Sequence, residues 1–184
     1  MIQPWAFDLS KIIGFRAPEL GVNNALYKVL SEKKYVYDTS GARMPTKYPM
    51  KDKDGIWHIG LGIIKTKNLR LGLSGNINQN KSSYVLSMDY NFWMIQSKVK
   101  NVAKKGTSLW DNFYKEVKDS YLDYFNKNYE GNHAPVVIGQ HFSLWNDGVY
   151  YEALKSFAED VCGKQDVKCV TFREYVDYLN SVSK

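Results

Sequence analysis

Residues 11–24 read KIIGFRAPELGVNN, and the fold turns on what ends the apolar run at its start. Lys11-Ile12-Ile13-Gly14-Phe15 has the composition of a short buried strand, yet Arg16 follows at once and Ala17-Pro18 breaks the extended chain. In a parallel α/β sheet, polar groups at the carboxyl ends of strands converge on one rim, so a cation placed there asks for a partner. Asn23-Asn24 then supplies a helix cap, and a helix is expected through Leu26, Val29 and Leu30.

The alternation of strand and helix continues outward from this stretch, as an α/β domain requires. YVYDTS (35–40) reads as a strand ending in polar residues, and residues 42–54, with Pro45, Pro49 and KDKDG, read as loop. IWHIGLGII (56–64) and SSYVLSMDY (82–90) are two further strands, separated by the polar break SGNINQN (74–80). From Ser108, apolar residues Leu109, Trp110, Phe113, Val117, Tyr121, Tyr124 and Phe125 recur every three or four positions, which describes the core face of a long helix. APVVIGQHF (134–142) reads as a buried parallel strand with His141 at its carboxyl end. Tyr151, Leu154, Phe157, Ala158 and Val161 mark another helix, stopped by Gly163, and VKCVTF (167–172) a last short strand. Thr171 and Glu174 form a capping box that opens a final helix through Tyr175, Val176 and Leu179. With no repeat and no long linker, residues 1–184 are expected to form a single domain.

Composition narrows the classes of function. The 184 residues are 44% hydrophobic and 15% aromatic, which is the make-up of a chain with a packed core. Five Trp and fourteen Tyr are many for this size, and such rings stack on sugar faces as well as in cores. The formal charge is +6, but lysines and arginines alternate with acids, so no nucleic-acid footprint is expected. The densest basic groups, Lys98 with Lys100, Lys104 and Lys105, and Lys65 with Lys67 and Arg70, read as solvated faces. No apolar run approaches a membrane span, and MIQPWAFDLSK at the start lacks the pattern of a signal peptide. Cys162 and Cys169 have no zinc-knuckle spacing; a local disulfide, and with it an oxidising compartment, is the better reading, with two free thiols the alternative.

Arg16, Asp89 and His141 each stand at the end of an apolar strand in this reading, so an arginine, an aspartate and a histidine are candidates for one site. A carboxylate beside an imidazole favours its charged form, which suits acid–base chemistry. These residues lie within two longer stretches, GFRAPELGVNNALYKVLSEKKYVYDTS (14–40) and NHAPVVIGQHFSLWNDGVYYEALKSFAEDVCGKQDVKCVTFREYVDYL (132–179). Together they resemble the carboxyl-terminal part of the polysaccharide deacetylases of the NodB-homology type, carbohydrate esterase family four, with residues 41–85 weakly matched.

That resemblance implies a partial or distorted (β/α) barrel lacking its first β/α units. The implied activity is metal-assisted removal of acetyl groups from N-acetylglucosamine polymers such as chitin or peptidoglycan. Arg16-Ala17-Pro18 matches an Arg-x-Pro wall whose arginine positions the catalytic aspartate. Pro18 and Glu19 fall where backbone N–H groups meet the oxyanion, with Glu19 standing where a tyrosine is usual. Asp89 is the implied tether of the catalytic histidine, although its usual Asp-Trp adjacency is absent. Trp93 is taken for the missing tryptophan, and Trp93 and Trp145 are substrate-binding candidates. His141 matches the histidine that protonates the leaving amine, but Gly139-Gln140 replaces the preceding Leu-x, so Ile138 or Leu144 would line the acetyl-methyl pocket.

The family also begins with an Asp-Asp-Gly strand and a His-x-x-x-His turn that hold zinc and supply the base. This chain has neither, and its other histidines, His58 and His133, read as structural or surface groups. Zinc is therefore expected only in a complete member of the family, and these residues carry no metal ligands. The expectation is a back portion, inactive without its missing amino-terminal metal-binding part and completed by that half or by a self-dimer, located extracytoplasmically. Two alternatives stand beside it: a non-catalytic carbohydrate-binding relative, and a basic interaction module unrelated to sugar. The deacetylase reading requires Arg16 and His141 to face each other across one cleft.

Overall fold

The computed structural model describes residues 9–66, 70–71, 77–78 and 84–183. Residues 1–8, and most of the polar break at 74–80, lie outside them. The described chain forms two compact units, one built from residues up to Gly41, Pro49–Gly60 and Val170 onward, the other from Ala42–Tyr48 and Leu61–Cys169.

The first unit carries a mixed four-stranded sheet. β1 (Gly14–Phe15), β2 (Tyr37–Asp38) and β5 (Trp57–His58) run parallel, and β4 (Met50–Lys51) pairs antiparallel with β5. The parallel run confirms what Gly14-Phe15-Arg16 suggests, since β1 and β2 are linked by a crossover helix, α1 (Asn24–Glu32). The Asn23 side chain accepts the Leu26 N–H at its start, as an N-cap does. Leu30 packs inward while Val29 is exposed, so the helix buries a narrower stripe than the spacing implied. Helix α5 (Phe172–Val182) opens on the Thr171–Glu174 capping box and buries Val176 and Leu179.

The second unit contains a mixed three-stranded sheet in the order β3-β6-β9. β3 (Ala42–Arg43) is parallel to β6 (Leu61–Lys65), and β9 (Tyr84–Leu86) antiparallel to it. A separate antiparallel pair joins β7 (Arg70–Leu71) and β8 (Ile77–Asn78). IWHIGLGII is thus two strands in two different sheets, divided at Ile59-Gly60, and the stretch read as loop at 42–54 contains both β3 and β4. Gly62 is required by close approach: a Cβ there would meet the Tyr124 ring at 2.8 Å.

Three helices complete this unit, α2 (Asp89–Ser97) and α3 (Ser108–Tyr129) against the sheet and α4 (Trp145–Val161) against those two helices. α2 has no counterpart in the sequence reading; α3 and α4 do. The expected stripe of α3 is buried from Trp110 to Phe125 and packs with Phe92, Val149, Tyr150, Ala153 and Phe157 into one core. On α4 the buried face is Val149, Tyr150, Ala153, Phe157 and Val161, whereas Tyr151 is exposed. The stripe shifts because Asn146, Asp147 and Gly148 are all left-handed (φ 48°, 58° and 75°), so regular helical phase begins only after them.

Two expected strands are absent. Residues 134–140 are buried or half-buried and His141 and Phe142 exposed, but only Gly139 pairs, through a parallel bridge to Met88, and VKCVTF runs as loop into the Thr171 cap. Cys162 and Cys169 are joined by a disulfide, with Cα atoms 5.5 Å apart. Among the described residues no helix is long and apolar enough to cross a membrane. Among the described residues the fold is mixed α/β, with two mixed sheets, one antiparallel pair and five α-helices, and no closed barrel is seen.

Candidate functional site

In the second unit the structure brings Asp89 and His141 together. Met88 bridges Gly139, so the residues just beyond the bridge on each segment become neighbours. Asp89 is the first residue of α2 rather than the end of a strand, and its Oδ1 accepts the Tyr90 N–H at 2.8 Å. A carboxylate in the first helical turn also lies in the favourable end of the helix dipole. His141 donates its backbone N–H to Asp89 Oδ2 at 2.8 Å, and its Nδ1 lies 2.7 Å from Oδ1. Asp89 is 0% exposed, and these three donors satisfy a carboxylate that would otherwise be costly to bury. An ionised carboxylate can only accept, so the network assigns the proton of the neutral ring to Nδ1. His141 Nε2 then carries the exchangeable lone pair, on a side chain that is 47% exposed.

Aromatic rings flank this pair. Trp93 on α2 and Trp145 at the start of α4 stack with centroids 4.1 Å apart and planes 10° from parallel. The Trp145 centroid is 5.3 Å from that of His141, and Tyr90 sets its ring against His141, Trp93 and Trp145 at 6.0–6.2 Å. The segment carrying Trp145 is fixed by Asn146, whose Oδ1 accepts the Val102 and Ala103 N–H groups at 2.7 and 3.1 Å. Its Nδ2 donates to Ser97 Oγ and Tyr150 Oη, and its backbone N–H to Asn101 Oδ1. Tyr90 and Asn146 escape the sequence reading. The Asn-Asp-Gly run is a turn signal that could have pointed to Asn146, while adjacency to Asp89 is the only hint at Tyr90.

Behind this pair, burial raises the Tyr121 and Tyr150 hydroxyl pKa values far above the ordinary range, with the charge of Asp89 adding to both. Both phenols therefore stay protonated, and neither serves as a base at neutral pH.

Arg16, Pro18 and Glu19 belong to the first unit. Arg16 follows β1, and its Nε donates to Thr39 Oγ1 at 2.9 Å, beyond the end of β2. Partial burial lowers the guanidinium pKa, and Asp38 nearby raises it again. Asp38 is itself buried and accepts the Ser40 hydroxyl at 2.5 Å, while Ser40 Oγ accepts the Ala17 N–H at 2.7 Å. Pro18–Leu20 forms a short turn in which Glu19 and Leu20 are left-handed, and Pro18 and Glu19 are exposed.

His58 stands at the end of the third parallel strand, with Nε2 2.8 Å from Asp52 and Nδ1 4.0 Å from Asp38. The edge of its ring also meets Tyr27, at 4.6 Å between centroids. Arg16, Asp38–Ser40 and His58 thus end three adjacent parallel strands, and Asp38 and His58 are members that the sequence reading passed over. His133 is exposed, on a left-handed residue after α3.

The zinc expected of a complete family member can be tested against these donors. Asp38 and Asp52 approach His58 at different ring nitrogens, so the three do not share a point. Among the described residues no group of three or more His, Cys, Asp or Glu is placed to hold a metal ion. The residues present do not fit that ion.

No protein-family model matches the chain, and no curated protein matches its sequence. In structure, the chain is similar to a crystallised protein of Mycobacterium smegmatis assigned as a polysaccharide deacetylase. The TM-score is 0.55 at 17% sequence identity, over 92% of this chain and 49% of that one. The chain therefore spans about half the length of that structure, and what it shares with it is the fold, a mixed α/β one.

Proposed function

We propose that the chain is a polysaccharide deacetylase-like protein acting on an N-acetylglucosamine-containing polymer such as chitin or peptidoglycan, and that Asp89 and His141 form its proton-donating arm. The observation that carries this reading is the buried Asp89 carboxylate gripping the exposed His141 imidazole beside two stacked tryptophans. The likeness of fold supports the class of substrate.

Hydrolysis of an acetamide adds water oxygen to the carbonyl carbon while a general base, which is not assigned to any described residue, takes the water's proton; the C–N bond then breaks and leaves a nitrogen that must gain a proton. His141, charged, delivers that proton from Nε2, and Asp89 stabilises the imidazolium before transfer and keeps the ring aimed. Trp93, Trp145 and Tyr90 offer ring surface on which the sugar stacks. No step is assigned here to a metal ion, because the described donors do not fit one. On its own unit, Arg16 is the proposed clamp for a carboxylate, its Nε donating to Thr39 Oγ1 and its other N–H groups, among the described residues, left for that acid. An extracytoplasmic location is part of the proposal and rests on the Cys162–Cys169 disulfide.

The test is acetate release from N-acetylglucosamine oligomers by the protein. His141→Ala should lower turnover roughly 10²–10⁴-fold. Turnover unchanged by that substitution removes His141 from the role. Binding of oligomers without any acetate release replaces the reading with that of a non-catalytic carbohydrate-binding protein.

A further inference from the structure

Beside the tryptophan stack runs the connection between α2 and α3, residues 98–107, in which Lys98, Lys100, Lys104 and Lys105 are all exposed. Its backbone is fastened at three places. Trp93 Nε1 donates to the Lys100 carbonyl at 3.1 Å, Asn146 Oδ1 takes the Val102 and Ala103 N–H groups, and Asp147 Oδ2 takes the Lys105 N–H at 2.9 Å. The loop is therefore continuous, contact by contact, with Trp93, Trp145 and His141.

Its charge is poorly neutralised. Lys105 pairs with Glu152 at 3.3 Å, whereas Lys98, Lys100 and Lys104 have no acidic partner among the described residues. Asp147 is engaged with a backbone N–H, and Asp89 is buried against His141. Three uncompensated cations thus sit on a fastened backbone next to rings suited to a sugar. A fixed backbone positions charge with less ordering cost on binding than a free loop would incur.

We propose that this lysine loop selects the substrate: the site favours an acidic N-acetylated polysaccharide, one with carboxylates close to its acetamido sugars, over a neutral one. The inference rests on the proposed function and names its substrate class. Each exposed pair contributes little alone, but a polymer with repeating charges meets all three lysines at once. The preference must fade as salt rises, because exposed charges are screened over about 8 Å at physiological ionic strength. A polysaccharide is favoured over a nucleic acid because only three unpaired lysines gather here, and in the sequence acids intersperse the other basic residues instead of leaving long basic blocks.

The experiment is a titration followed by tryptophan fluorescence, at low and at physiological salt. The probes are chitin oligomers (neutral, acetylated), hyaluronan oligomers (acidic, acetylated), polyglucuronate (acidic, without acetamido groups) and a single-stranded DNA oligonucleotide. Hyaluronan should bind roughly tenfold or more tighter than chitin at low salt. That advantage should disappear in a variant carrying Lys98→Gln, Lys100→Gln and Lys104→Gln together, with chitin affinity unchanged and the thermal midpoint retained. Equal affinity for chitin and hyaluronan, or an acidic preference that survives the triple substitution, overturns the proposal while leaving the deacetylase-like reading intact. Polyglucuronate or DNA binding as tightly as hyaluronan overturns the acetamido-glycan class. No binding of either glycan overturns the proposed function along with it.

Discussion

At the scale of single residues, the structure turns on carboxylates that are buried or part-buried and fully used. Asp89 spends both oxygens on His141 and Tyr90. Asp52 is built the same way in the first unit. Burial opposes its ionisation, but the N–H groups of Ile56 and Asp54 and the ring of His58 outweigh it and set its pKa below the ordinary value. Its ionised form therefore adds stability that is fully present above the unfolded pKa of about 3.9 and is lost as pH falls through the lower, folded value. Asp52→Asn should cost stability at neutral pH, with the gap to wild type closing below about pH 4. Urea midpoints measured across that range check it, and a gap independent of pH would show that the charge plays no part. Of these residues the sequence made His141 and Arg16 legible, because each ends an apolar run with a polar group. Asp52 sits in KDKDG, which looks like any charged turn, and its use emerges only when β4 and β5 bring it to His58.

At the scale of elements, α3 and α5 were legible and α2 was not, for a physical reason. α3 buries Trp110, Phe113, Val117, Tyr121, Tyr124 and Phe125 at helical spacing, a period that survives the buried Glu116, Ser120 and Asn128 among them, and α5 announces its start with Thr171 and Glu174. α2 instead buries Asp89, Phe92, Gln96 and Ser97, so its inward face is mostly polar and leaves no apolar period to detect. Residues 134–142 show the converse error: a run of apolar residues reports burial, not pairing, and only Gly139 joins a neighbour. The start of α4 is held by Asn146, fully buried and left-handed, so Asn146→Gly keeps the backbone allowed while removing the amide. Leaving its buried partners unpaired should cost about 1–3 kcal/mol, read from the denaturation midpoint. It should also weaken the exciton circular-dichroism signal of the Trp93–Trp145 pair. An unaltered signal would mean that Asn146 does not hold the stack.

At the scale of the whole molecule, the disulfide and the pattern of charge say the most about setting. The Cys162–Cys169 bridge closes a short loop after α4, and its removal should lower stability by about 2–3 kcal/mol. Thermal unfolding with and without reductant measures this, and identical midpoints would make the bridge dispensable. The α/β class was readable from alternating segments, whereas the division of 56–64 between two sheets was not, since a single Gly60 inside an apolar run does not by itself announce a change of sheet. The account as a whole claims that an acetamido sugar lands beside His141. The most direct measurement is an NMR titration with N-acetylglucosamine oligomers that follows the His141 imidazole and the Trp93 and Trp145 indole resonances. The account predicts that these three shift together and saturate with one affinity. Resonances that stay still, while oligomer binds elsewhere or not at all, would contradict it.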